Sequence, residues 1–339
     1  MLVLLLATFT SSCSKTDRAQ ENRTETKRFQ TVTIDNLEPR RDVAGEIIDA
    51  HDGCLQFFNG RFYLYGTAYG KSDDYFQTNH SYRVYSSPDL GRWTYEGELL
   101  QAQPTGVYYR PYVVYNPSTH KYVLWYNWYP KLWKGQVGIA VSDTPVGPFT
   151  IVSTNVLRRR EGSRSGDGSL FVDDDGQGYF IFSAIEDGYA IRVLALTPDF
   201  LGLTGYASSI LAKGGEAPLL FRRNKTYYAL CGPLCPACPE GSEVQVFTAT
   251  SPLGPFKPRA NINRRPESGT PNIPAQETWV AKIPTPDGSV FIWIADRWRS
   301  SPDGLAGHDF QFWAPLEFNQ DGDILPVKNV TRWYIARAQ

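Results

Sequence analysis

Apolar residues along this chain come in short, strand-length runs broken by polar turns, and no stretch shows the sustained spacing of an amphipathic helix. The runs group into five units of roughly fifty to sixty residues, the period expected of propeller blades. The first unit opens at Asp49-Ala50-His51-Asp52-Gly53-Cys54, turns at Asn59-Gly60 and returns from Arg61 to Tyr65. Asn-Gly between apolar runs is a strong hairpin signal. A third run, Tyr82 to Ser86, leads to a corner at Gly91-Arg92-Trp93. The second unit repeats the plan from Arg110 to Tyr115, Tyr122 to Trp128 and Val137 to Ser142, with its corner at Gly147-Pro148-Phe149. The third starts at Gly166-Asp167-Gly168 and turns through Asp173-Asp174-Asp175-Gly176. The fourth starts at Gly214-Gly215-Glu216-Ala217-Pro218 and ends at Gly254-Pro255-Phe256. The fifth runs from Gln276 through Asp287-Gly288 to Asp296-Arg297-Trp298, with an outer part from Phe310 to Trp313. Five such units predict an all-β, five-bladed β-propeller over residues 45–339.

Ahead of the units the texture differs. Leu2 to Phe9 is too short to span a bilayer and, with Thr10-Ser11-Ser12-Cys13, reads over residues 1–14 as a signal peptide or a lipoprotein signal with a lipid anchor at Cys13. Residues 15–44 are polar and read as a flexible linker. A secreted or cell-surface protein is the expectation. Lys and Arg number 34 against 35 Asp and Glu, so no basic stripe suggests a nucleic-acid partner. Nothing calls for an oligomer, and a monomer is expected. In an oxidising compartment Cys54, Cys231, Cys235 and Cys238 are read as two disulfides in preference to a zinc site, which would want ligands that no nearby His supplies.

In a propeller the inner strands of all blades start beside one axis, so residues far apart in sequence meet there. At that position stand His51 or Asp52, Tyr109-Arg110, Asp167, Glu216 and Gln276. Two carboxyl groups on one pocket are the minimal equipment for glycoside hydrolysis, one protonating the leaving oxygen and the other activating water. A third nearby raises the acid's pKa by like-charge repulsion. Tyr108, Tyr109, Trp128, Trp133 and Trp298 fall at strand ends or loops on the same side, where rings stack on sugars, with Arg110 and Arg297 as polar neighbours.

These residues resemble glycoside hydrolase family 43, whose members are inverting five-bladed propellers. The resemblance rests on Ala50-His51-x-Gly53, Tyr109-Arg110-Pro111, Ser165-Gly166-Asp167, Glu216-Ala217-Pro218, Gln276-x-Thr278 and Asp296-Arg297-Trp298, and covers roughly Gly45 to Ala336. It is strongest toward the branch of exo-acting galactan 1,3-β-galactosidases. It implies Glu216 as general acid, Asp167 as the group that sets the acid's orientation and pKa, and Gln276 as the residue positioning the attacking water. His51, Tyr109, Arg110, Trp128, Arg297 and Trp298 are the expected substrate contacts. No metal is expected as catalyst and no cofactor is required; an axial Ca2+ is compatible with the fold but not readable from the sequence.

Two departures bear on the substrate. His51-Asp52-Gly53-Cys54 stands where the branch has His-Gly-Gly-Gly, so Asp52 either supplies a base carboxylate or caps a turn. Tyr109 stands where the branch has Glu, which removes a polar contact able to discriminate epimeric sugars. The expected activity is release of galactose from β-1,3-galactan chains. The alternatives are a family 43 α-L-arabinofuranosidase or β-xylosidase and, from another class, a carbohydrate-binding propeller without catalysis.

Overall fold

The computed structural model describes residues 29–78, 80–157, 164–235, 242–265, 267–286 and 288–338. Each predicted unit is an antiparallel sheet whose strands follow one another in sequence. Blade 1 comprises His51–Phe58, Arg61–Ala68, Ser81–Ser87 and Thr94–Glu98, and blade 2 Val107–Asn116, Lys121–Tyr129, Gln136–Ser142 and Thr150–Ser153. Blade 3 comprises Ser165–Val172, Gly178–Ala184, Ala190–Leu196 and Leu203–Ala207. Blade 4 comprises Gly215–Arg223, Thr226–Pro233, Gln245–Ala249 and Lys257–Asn261. Blade 5 has Gln276–Thr285, Gly288–Arg297 and Phe310–Pro315. The short 3-10 turns Ile185–Asp187 and Ala306–His308 are the helical elements named among the described residues. The inner strand of each blade packs on the next, and that of blade 5 packs on that of blade 1, which closes a five-bladed β-propeller.

The predicted corners join neighbouring blades. The Phe149 N–H donates to the Leu99 carbonyl at 2.7 Å, and the Val43 N–H donates to the Trp93 carbonyl at 2.8 Å. Trp93 then meets Trp313 of blade 5 edge to face, with both rings buried.

One irregularity recurs in all five blades. Near its start every inner strand slips register against its neighbour: between His51 and Cys54, Tyr109 and Tyr112, Ser165 and Gly168, Glu216 and Leu219, and Glu277 and Trp279. Asp52, Arg110 and Ala217 sit in these bulges with φ near +50°. A bulge inserts an unpaired residue and re-aims the side chains around it, and here it does so at the axis. Gly53 is required beside the first bulge, because a Cβ there would lie 2.0 Å from the Tyr65 carbonyl oxygen.

Two expectations need correction. The polar stretch 15–44 is not a linker throughout: Phe29–Asp35 forms a strand paired antiparallel with Arg332–Ala338, and Val32 and Ile34 are buried. The alternation is too brief to stand out locally, and its partner strand lies near the other end of the chain. The two-disulfide reading also fails, since Cys54 and Cys231 are buried free thiols packed in separate apolar clusters. Cys235 is disulfide-bonded. Cys238, Cys13 and the whole of the segment 1–14 lie outside the described residues.

Asn36 ties this strand pair to blade 5. Its amide donates to the carbonyls of Trp313 and Val330, both at 2.9 Å, and accepts from the Trp313 N–H at 2.9 Å. Asn36→Ala strands buried backbone groups, so it is expected to lower stability by about 2 kcal/mol. A denaturant midpoint that falls with unchanged slope would show it.

Candidate active site

The five bulges deliver polar side chains into one axial cavity of about 320 Å³. Asp52, Tyr109, Arg110, Asp167, Glu216, Gln276 and Trp298 line it, each brought by the inner strand of its blade except Trp298, which follows the second strand of blade 5.

At the centre is the guanidinium of Arg110, a residue only 3% exposed. Its Nη2 donates to Asp167 Oδ2 and to Gln276 Oε1, both at 3.0 Å, and its Nη1 donates to the Glu277 carbonyl at 3.2 Å. Asp167 Oδ2 also accepts from the Ala217 N–H at 2.9 Å, so it is fastened to the residue that follows Glu216. Burial, then the negative charge of Asp167, push the Glu216 carboxyl up to about 8. The charge of Arg110, the Cys235 backbone N–H and the Gln276 amide act in the opposite sense without cancelling the rise. Glu216 is therefore protonated at neutral pH, the state a general acid needs.

The Gln276 amide has one available orientation. Its oxygen accepts from Arg110 and from Trp298 Nε1 at 3.1 Å, and both partners can only donate. The amide nitrogen then faces Glu216, with Nε2 3.1 Å from Oε1.

Asp52 is buried, yet it reaches the cavity. Its Oδ1 accepts from Thr67 Oγ1 at 2.7 Å and from the Arg110 N–H at 3.1 Å, and its Oδ2 accepts from the Tyr69 hydroxyl at 2.7 Å. Burial raises it to about 6 against the opposing charge of Arg110. It does more than cap a turn, since it joins blade 1 to blade 2 at the axis.

Three expected substrate contacts lie elsewhere. His51 is fully buried behind the wall, where Nδ1 meets Asp296 Oδ1 at 3.1 Å while Asp296 Oδ2 accepts the Asp52 N–H at 2.6 Å. Burial opposes its charge, but the hydrogen bond and charge of Asp296 prevail and raise it to about 9. It supports Asp52 from behind. Trp128 is buried against Tyr108, its Nε1 donating to the Thr154 carbonyl at 2.7 Å, and Tyr108 is itself fully buried. Arg297 does not line the cavity, whereas Arg299 does.

Tyr69, Tyr75, Tyr129 and Tyr189 also line the cavity and were not foreseen. The hairpin from Asn59-Gly60 brings Thr67 opposite His51, so counting its register outward would have placed Thr67 and Tyr69 near the axis. Glu277 was missed too. It is fully buried, neither carboxyl oxygen has a hydrogen-bond partner among the described residues, and burial drives its pKa well up, so it is held neutral. No three His, Cys, Asp or Glu side chains group to hold a metal ion among the described residues.

A five-bladed propeller whose axial pocket holds a protonated glutamate among further carboxyl groups has the equipment of a glycoside hydrolase. The family described as glycosyl hydrolases family 43 matches residues 68–322, and the chain belongs to it. That is an inverting family of glycosidases acting on carbohydrate. Among curated relatives, an arabinoxylan arabinofuranohydrolase of Bacillus subtilis (strain 168) is 27% identical over 277 residues, covering 65% of this chain and 52% of that protein. Xylosidase/arabinosidase 43A of Humicola insolens is 30% identical over 148 residues, 40% of this chain and 44% of that protein. The chain thus spans about half the length of these relatives or less. Among solved structures, the exo-β-1,3-galactanase 1,3Gal43A from Clostridium thermocellum superposes with a TM-score of 0.78 at 26% identity, covering 89% of this chain and 66% of that one. A family 43 β-1,3-galactosidase solved with galactodeoxynojirimycin gives 0.76 at 26% identity, covering 88% of this chain and 99% of that one.

Because the Asp167 charge helps hold Glu216 protonated, Asp167→Asn is expected to bring the Glu216 titration below about 8. Carbon-13 NMR of labelled glutamate carboxyls follows this directly. A midpoint left in place or moved upward would contradict the arrangement.

Proposed function

We propose that the protein is an exo-acting, inverting glycosidase that releases galactose from the non-reducing ends of β-1,3-galactan-like chains. The observation carrying this reading is the Glu216–Gln276–Arg110–Asp167 cluster: a protonated acid, the amide beside it and the ion pair behind it. The likeness to galactan-cleaving propellers over nearly nine-tenths of the chain supports the sugar.

In the reaction, Glu216 gives its proton to the glycosidic oxygen as the C1–O bond breaks. Water attacks C1 from the opposite face and must lose a proton. Gln276 is a poor recipient, because a neutral amide is a far weaker base than a carboxylate and its oxygen already accepts two hydrogen bonds. Asp167 is paired with Arg110 and fastened to the Ala217 N–H, which leaves Asp52 as the carboxylate to take it, with Tyr69 and Thr67 holding its oxygens. Gln276 then orients Glu216 and bounds the water site. The reading extends to a secreted or cell-surface enzyme, exported through the signal segment read at residues 1–14.

A second substrate reading rests on Tyr109. Its hydroxyl donates to the Tyr75 carbonyl at 2.9 Å and offers no carboxylate to a sugar hydroxyl. Arabinofuranosyl or xylosyl linkages, as in the names of the curated relatives, fit a site without that acceptor.

Sugar release from β-1,3-galactan, arabinan and xylan, run with wild type and Glu216→Gln, tests the reading. Galactose is expected from wild type, with the variant slower by about 10²–10⁴-fold. Arabinose or xylose would move the substrate and keep the acid, while tight binding without turnover would leave a carbohydrate-binding propeller.

The pH profile separates the two candidates for the water. Asp52 as base must be deprotonated and Glu216 protonated, so kcat/KM should fall below about pH 6 and above about pH 8. Asp52→Asn should abolish turnover and Gln276→Ala should reduce it modestly, and the reverse order would restore Gln276 as the group acting on water.

A further inference from the structure

The wall of the axial cavity is polar and aromatic, but its mouth is apolar and open. Phe76, Leu132, Trp133 and Leu234 all line the cavity, yet are 47%, 37%, 56% and 38% exposed. They come from three blades: Phe76 from the loop after the second strand of blade 1, Leu132 and Trp133 from the corresponding loop of blade 2, and Leu234 from just beyond the second strand of blade 4. Large apolar groups gathered in solvent at one end of a pocket mark a place where something docks.

Phe76 and Trp133 meet across the boundary between blades 1 and 2, their ring centroids 5.9 Å apart and the planes inclined at 57°. Their exposure is built into bonded turns. The Phe76 N–H donates to Asp74 Oδ1 at 2.9 Å. Around Trp133 the Lys134 N–H closes a turn on the Lys131 carbonyl at 2.8 Å, and Arg164 Nη1 donates to the Trp133 carbonyl at 3.4 Å. Trp133 holds a φ of 64°, a left-handed conformation that is rare for a bulky residue and gathers at binding sites. No core packing accounts for a tryptophan held that way with more than half its surface in water.

We infer that Trp133, with Phe76 beside it, is the platform for the sugar on the leaving-group side of the bond that is cut. The inference rests on the glycosidase reading and adds to it where the substrate chain goes. The cavity, at about 320 Å³, is at the small end of the range for ligand sites, about 300–1,000 Å³. The rest of the saccharide must therefore leave through the mouth, over these rings. A pyranose offers an apolar C–H face that fits an aromatic ring, and its hydroxyl rim can accept from the exposed Arg299 on the same edge. Trp133 touches no reacting atom in this arrangement. It selects for a chain over a lone glycoside and orients the leaving sugar.

The test compares β-1,3-galactotriose with β-galactosyl fluoride, whose leaving group is too small to reach the platform. Trp133→Ala is expected to lose about tenfold more kcat/KM on the trisaccharide than on the fluoride, chiefly through KM. Trp133→Tyr should recover most of the loss, and Phe76→Ala should show a smaller change of the same kind. Equal losses on both substrates, or none on the trisaccharide, would overturn the platform. If wild type turns over neither compound, the galactosidase reading fails separately. Calorimetric titration of wild type and Trp133→Ala with galactotriose and with xylo- and arabino-oligosaccharides then decides the platform. Tenfold weaker binding of an oligosaccharide by the variant supports it, and unchanged affinity, or no oligosaccharide bound by wild type, refutes it.

Discussion

The site depends on one buried cation. Arg110 enters the axis from blade 2 and bonds to Asp167 of blade 3, to Gln276 and the Glu277 carbonyl of blade 5, and through its own N–H to Asp52 of blade 1. Such a charge is tolerated out of water only because partners surround it, and removing one partner of a buried pair typically costs about 3–5 kcal/mol. The arrangement also distributes protons. Arg110 pairs with the Asp167 carboxylate, and that negative charge, added to burial, keeps a proton on Glu216. Structural cohesion and acid chemistry are thus one interaction, and neither can be altered alone.

The backbone makes this convergence available. Each inner strand carries a bulge where it reaches the axis, so five unpaired or re-aimed positions face one another across a narrow channel. A flat ladder would alternate its side chains between faces and give the axis fewer of them. Bulges at successive strand starts concentrate polar groups at one end, while apolar clusters fill the space between blades below. Glu277 marks the limit: it lies against the same network with no side-chain donor to its carboxyl among the described residues, and burial keeps it neutral.

The blades were legible because a propeller is local. Strands that neighbour in sequence pair in space, and turn signals such as Asn59-Gly60 and Asp173 to Gly176 punctuate them. The clasp of Phe29–Asp35 on Arg332–Ala338 joins opposite ends of the chain, and nothing local announces it. Within the site the errors share a cause. His51, Trp128 and Arg297 are expected in the cavity but do not line it, whereas their immediate neighbours do: Asp52 and Trp298, which are also expected there, and Tyr129, which is not. Side chains on a strand alternate, so an offset of one residue reverses every assignment. That offset is set by the bulges and strand-end geometry, which leave little trace in a polar–apolar pattern. Glu216, Asp167 and Gln276 reach the cavity as expected, whereas His51 and Arg297, which lie in motifs of the same resemblance, do not, so a motif places a residue near the axis without fixing the way its side chain faces.

The proposed reaction is a single displacement at the axis, with Glu216 giving a proton to the leaving sugar and water attacking from the other side. Proton NMR of the anomeric signals during the first minutes of β-1,3-galactobiose hydrolysis reads this most directly. Inversion gives α-galactose first, with the β-anomer growing in only as mutarotation proceeds. β-Galactose as the first product would mean a covalent sugar–enzyme intermediate and would contradict the assignment of these carboxyl groups.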